Sequence, residues 1–114
     1  MTKKNDLVFI EHILESIKAI ENFSKNLSKA ELASNRLKQS AIIREIEIIG
    51  EAVKNISESL KKEYQEIKWR DIAGTRDKMI HHYFGVDLDI VWNIIHQDLL
   101  LLKKQIINIK NKSR

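Results

Sequence analysis

Residues 39–57 read QSAIIREIEIIGEAVKNIS, and their apolar spacing decides the fold class. Ile42, Ile46, Ile49, Val53 and Ile56 recur every three or four positions, which sets them on one face of an α-helix. Ala41, Ile48 and Ala52 form another apolar patch on the same segment. Gly50 interrupts the pattern at a cost of about 1 kcal/mol relative to alanine, so close approach of another backbone is the expected reason for it. The chain has no proline and three glycines, and Leu, Ile, Lys and Glu dominate it, so helix is favoured almost everywhere. No period-2 strand signal, internal repeat or low-complexity linker appears. The expected architecture is all-α: a small antiparallel helical bundle of four main helices plus a short one.

At 114 residues the chain suits one domain, residues 1–114, with a single modest core. Apolar residues make up 43% and charged ones 32%, which excludes a fully disordered chain. Without cysteine there is neither a disulfide framework nor a thiolate zinc site, and the cytoplasm is the expected compartment. The N-terminal MTKKNDLVFIEH lacks a signal peptide's apolar region, and no stretch reaches the roughly 18 apolar residues of a membrane span. The net charge of +4 is spread over 20 basic and 16 acidic residues, a weak nucleic-acid signal taken alone.

The same periodicity predicts a first helix from about Asn5 or Asp6 to Phe23, with Leu7, Ile10, Leu14, Ile17 and Glu21 on one stripe, Ile13 and Ile20 beside it, and His12 on the solvated side. The polar stretch that follows places Ser28 three residues before Glu31, the spacing of a capping box. A last helix is expected after Gly85, with Asp87 as N-cap and Asp89 in its first turn, reaching about Asn108 or beyond. Its stripe runs through Leu88, Val91, Trp92, Ile95, Leu99, Leu102, Ile106 and Ile109. Ile94, Leu100, Leu101 and Ile107 fall outside it, more apolar surface than one seam needs, which suits either an oligomer or a buried central helix.

Between these lies the most specific segment, RDKMIHHYFG at residues 76–85. Read as a helix over roughly Ile67–Tyr83, it puts Trp69, Ile72, Ala73, Met79, Ile80 and Tyr83 on one face with Arg76 in the middle. An unpaired buried guanidinium is prohibitively costly, so Arg76 either pairs with a carboxylate such as Glu45, Glu47 or Glu51, lies in an open groove, or receives an anion. On an ideal helix His81 stands about 140° around from Arg76. For both to meet one target, the helix ends or bends near His81, or a second chain completes the site. Gly85 fits as a helix stop, and Gly74 would allow close packing one turn before the arginine.

An arginine can hold a phosphate by two parallel hydrogen bonds, and a histidine can move a proton near neutral pH. Together they suffice for metal-free RNA cleavage through attack of the ribose 2′-hydroxyl on its own phosphate. Adjacent His81 and His82 point in different directions and no HExxH pattern follows, so with Asp77 they make a poor metal site, and no cofactor is expected. His82 reads as a surface or phosphate-contacting residue, Asp77 as a partner for His81 at i,i+4, and His96 as structural. Phosphate-loop and dinucleotide-binding glycine motifs are missing. Lys61, Lys62, Lys68, Arg70, Lys78 and the tail KKQIINIKNKSR are candidates for tracking an RNA backbone, or else a solvated helix face.

The phrase RDKMIHHY, in the form R-x4-H-x-Y, together with AIIREIEIIGEAVKNIS and WRDIAGTRDKMIHHYFGVDLDIVWNIIHQDLLLL, resembles the HepT-like branch of the HEPN superfamily over roughly residues 5–108. One departure is Leu100, where the family often has proline. The resemblance implies an all-α bundle whose dimer, or larger assembly, lines one cleft with two Arg-x4-His segments. It implies a metal-independent endoribonuclease, the toxin of a toxin–antitoxin pair whose partner is an MNT-type nucleotidyltransferase antitoxin. Carried over, Arg76 and His81 are catalytic, Tyr83 is the tyrosine the antitoxin modifies with AMP, and Asp77, His82, Lys78 and Arg70 support the site or hold RNA. The alternative is a non-catalytic helical dimer that docks a nucleotidyltransferase or RNA, with Arg76 in a structural ion pair.

Overall fold

A computed structural model describes residues 3–81 and 85–113, with His81 described by its backbone alone. In chain order it contains α1 (Lys4–Ser24), α2 (Lys29–Ser34), α3 (Arg36–Asn55), α4 (Glu58–Glu63), α5 (Trp69–Ala73) and α6 (Thr75–Met79). Two short strands, β1 (Ile80–His81) and β2 (Gly85–Val86), are followed by α7 (Leu88–Asn93), a π-helical turn over Ile94–Asp98, and α8 (Leu99–Lys112). The fold is all-α apart from the two-residue strands. Among the described residues no helix is long and apolar enough to cross a membrane.

Three long elements carry the core. Ile10, Ile13, Ile17 and Ile20 of α1 meet Ile42, Ile46, Ile49 and Val53 of α3, and Leu102, Ile106 and Ile109 of α8 close the third side. Each such side chain contributes about 1.5–3 kcal/mol on leaving water. The directions follow from contacts at the ends. Asp6, at the start of α1, bonds Ser57 beyond the end of α3, while Lys38 Nζ, near the start of α3, donates to the Phe23 carbonyl at 2.9 Å. Glu21 and Glu11 of α1 pair with Lys103 and Lys110 of α8, both at 2.8 Å, so α8 also runs antiparallel to α1.

Local signals account for several boundaries. Ser28 and Glu31 form the expected reciprocal capping box and start α2. The Ser28 backbone N–H, then its hydroxyl, hold the Glu31 carboxyl below its usual pKa; that capping contribution is present above the unfolded pKa and lost as pH falls through the folded one. Asn35 caps α3, which therefore begins at Arg36, three residues before the expected Gln39. Asp87 Oδ1 accepts from the Ile90 N–H at 3.2 Å and starts α7 as expected. Gly50 has the backbone neighbour anticipated for it: a Cβ there would lie 3.4 Å from the Ala73 carbonyl oxygen and 3.5 Å from that of Ile72.

Other expectations need correction. The helix expected over roughly Ile67–Tyr83 is instead two five-residue helices, α5 and α6, joined at Gly74 and ending at Met79. Ile80 and His81 are extended and pair antiparallel with Val86 and Gly85, a strand pairing too short for any period-2 pattern. Four main helices thus become three long elements and several short ones. A Cβ at Gly74 would meet only carbonyls of its own preceding turn, so this glycine serves the junction rather than close packing against another element. Gly85, with φ of +77°, occupies a left-handed conformation that favours glycine, and it opens β2 rather than closing a helix. The last helix contains a wide turn over Ile94–Asp98, and Ile94, expected off its stripe, is buried at its start, one turn after buried Val91.

Asp6 is 3% exposed, and its two oxygens accept from the Ser57 N–H at 2.9 Å and the Ser57 hydroxyl at 2.6 Å. Asp6→Ala leaves those donors without their acceptor and should cost about 1–3 kcal/mol in urea unfolding. A loss below about 0.5 kcal/mol would mean that water replaces the carboxylate.

Candidate active site

The segment from Lys68 to His81 is fixed from both ends. At its start, the indole N–H of buried Trp69 donates to the Tyr64 carbonyl at 3.0 Å, which satisfies the one polar atom of a large apolar side chain. At the α5–α6 junction the Thr75 hydroxyl donates to the carbonyls of Ile72 at 2.8 Å and Asp71 at 3.0 Å, covering groups the break leaves open. At its far end the Asp87 N–H donates to the Met79 carbonyl at 2.7 Å, and β1 pairs with β2. Met79 is fully buried and anchors α6.

Arg76 does not sit in an apolar face. The break at Gly74 takes α5 and α6 off one common wheel, and the Arg76 side chain is 61% exposed. Its Nε donates to Glu47 Oε2 of α3 at 2.8 Å, while Glu47 is only 26% exposed. Of the three carboxylates weighed from sequence, Glu47 is the partner. Arg44, exposed and one turn before Glu47 on α3, forms no ion pair among the described residues. Motif spacing gives no hint of it, because α3 meets α6 only through the fold.

Arg76 lies in the last turn of α6, and His81 lies two residues beyond the helix end on an extended backbone. This removes the 140° problem, since the two are not on one straight helix. It equally removes the i,i+4 helical relation between Asp77 and His81. His82 and Tyr83 lie outside the described residues. Asp77, Lys78 and Arg70 are exposed.

The candidate RNA-tracking residues divide. Lys103 and Lys110 of the tail are held by Glu21 and Glu11, Lys112 stands 5.9 Å above the ring of Tyr64, and Lys61 pairs loosely with Glu58. Much of the C-terminal charge therefore serves the bundle. Lys62, Lys68, Arg70 and Lys78 are exposed and make no ion pair among the described residues. His12 is solvated with its ring edge against Phe9, and His96 is exposed with its ring 4.0 Å from that of Trp92.

This geometry, a short helix bearing an exposed arginine and followed by an extended segment with His81, coincides with a family assignment. A family model described as Ribonuclease HepT-like matches residues 13–109, and the chain belongs to that family. It is 41% identical over 101 residues to a protein of Thermococcus cleftensis named "Probable ribonuclease HepT", covering 89% of this chain and 92% of that one. It is 39% identical over 116 residues to a Methanocaldococcus jannaschii protein named "Gamma-glutamylcyclotransferase and putative RNase". That match covers 97% of this chain but 52% of the relative, so the chain spans about half of that protein. No solved structure matches.

An ion pair this exposed is worth about 0–1 kcal/mol. Arg76→Ala should therefore stay folded and lose less than about 1 kcal/mol by urea unfolding. Unfolding of that variant would mean that Arg76 holds the fold.

Proposed function

We propose that this protein is a metal-independent endoribonuclease, the toxin of a HEPN/MNT toxin–antitoxin pair acting in the cytoplasm. Membership of the Ribonuclease HepT-like family supports the ribonuclease class. The observation that carries the site is the exposed guanidinium of Arg76, held by one edge and presented just before His81. In the reaction, His81 takes the proton of a ribose 2′-hydroxyl as its oxygen bonds to the adjacent phosphorus. The bond to the 5′-oxygen breaks, and that oxygen gains a proton. Arg76 stabilises the charge growing on the phosphorane oxygens. The products are a 2′,3′-cyclic phosphate and a 5′-hydroxyl. Lys78 and Arg70 hold flanking phosphates, and Asp77 and His82 support the site.

The cleft is composite, formed where two copies bring their Arg76–His81 segments together. Leu100 of α8 is 52% exposed, and Leu101, 60% exposed, lines a cleft of about 370 Å³ between α3, α5–α6 and α8 whose wall includes Thr75 and Lys78. Its rim carries Glu66, Asp71 and Asp98 together with Lys68 and Lys78. A mixed-sign rim around apolar surface is complementary to itself, so a second copy suits it. AMP transferred to Tyr83 by an MNT-type nucleotidyltransferase adds negative charge and bulk beside the cleft, pairs with Arg76 and blocks RNA entry.

Total RNA incubated with the protein in EDTA should yield fragments ending in cyclic phosphate. His81→Ala, Arg76→Ala and the dimer-breaking Leu101→Glu should each lower cleavage by about 100-fold or more. The partner transferase with ATP should silence wild type and leave Tyr83→Phe active. Full cleavage by both His81→Ala and Arg76→Ala would remove the site assignment, and no cleavage by unmodified wild type would remove the nuclease.

A further inference from the structure

Arg76 is anchored in an asymmetric way. A guanidinium carries five N–H groups, one on Nε and four on its two Nη atoms. Glu47 takes the Nε–H at 2.8 Å. Of the pair, the carboxylate is the less exposed at 26% and the guanidinium the more exposed at 61%, so the carboxylate stands on the protein side. Glu47 itself stands on α3 between buried Ile46 and Ile49, one turn before Gly50, where the Ile72 and Ala73 carbonyls of α5 pack against α3.

An arginine on a solvated five-residue helix would otherwise sample many rotamers, and ordering it on substrate binding costs free energy. Fixing Nε restricts those rotamers and leaves the two Nη groups, which make no hydrogen bond among the described residues, as the edge that can give two parallel bonds to a phosphate. The same carboxylate charge weakens the pull on a ground-state phosphate. The contact therefore gains nothing in substrate affinity and acts on geometry at the reacting phosphorus.

We propose that Glu47 is a positioning residue for Arg76, holding its guanidinium through Nε so that the two Nη groups meet the non-bridging oxygens of the scissile phosphodiester. This rests on the nuclease reading above. It assigns to the ion pair a task other than stability.

The test is steady-state cleavage of one defined oligoribonucleotide that wild type cuts, with each variant's folded fraction measured by urea unfolding. Glu47→Ala should lower kcat roughly 10- to 100-fold with KM unchanged or reduced. Glu47→Gln, which keeps an oxygen to accept from Nε, should recover much of the loss, and it carries the test if Glu47→Ala does not fold. In an Arg76→Lys background, which has no Nε, Glu47→Ala should add no further loss in kcat. If Glu47→Ala and Glu47→Gln cleave like wild type while Arg76→Ala does not, the positioning role is overturned and the nuclease stands. A kcat loss that scales with the unfolded fraction, or that is undiminished in the Arg76→Lys background, also overturns it. If Arg76→Ala cleaves like wild type, the nuclease site falls and the inference with it.

Discussion

The candidate site depends on one close contact between helices. At Gly50, carbonyl oxygens of Ile72 and Ala73 stand at van der Waals distance from where a Cβ would be. There the α5 backbone packs against α3, and α5 carries α6 with it. Glu47 is one turn before Gly50 and Arg76 is three residues after Ala73, so one close backbone contact sets the distance between carboxylate and guanidinium. Trp69 fixes the entry to this region and Met79 fixes its exit. The core packs first for stability, and the arginine is a consequence of where that packing ends.

Much of this was legible where many residues share one period. The isoleucines of α1 and α3 and the apolar stripe of α8 repeat over 14 residues or more, and their buried faces follow. Side-chain chemistry at single positions was equally readable: the Ser28–Glu31 box, Asp87 as a cap, Gly50 as a contact. What stayed hidden is short or relational. Two five-residue helices look like one long helix when their apolar residues happen to fit a single wheel, and only the Thr75 and Gly74 geometry separates them. A two-residue strand has no period to detect, and the wide turn at Ile94–Asp98 arises from packing that no local pattern encodes.

The candidate site shows the same division. The R-x4-H-x-Y phrase and its residue types were plain, and Glu47 stood among three possible partners. Choosing it required knowing where α6 meets α3, since Glu45 lies across the helix from Glu47 while Glu51 lies one turn further along the same side. The basic residues divide for a related reason. A lysine becomes a structural residue when a glutamate far off in sequence lies opposite it, as Glu21 does for Lys103, and composition counts both kinds alike.

That last pairing bears on the order in which the molecule can assemble. Glu21 and Lys103 are 82 positions apart, and the α8 isoleucines they help seat complete the third side of the core. α1, α2 and α3 are adjacent in the chain and can associate through local contacts while synthesis continues. α1 nevertheless keeps one apolar side open until the last helix emerges. The segment bearing Arg76 and His81 is thus made before the body that must support it is finished. A growing chain carries Arg76 and His81 well before the contacts that support them are made, so the candidate site is completed together with the final contacts of the fold.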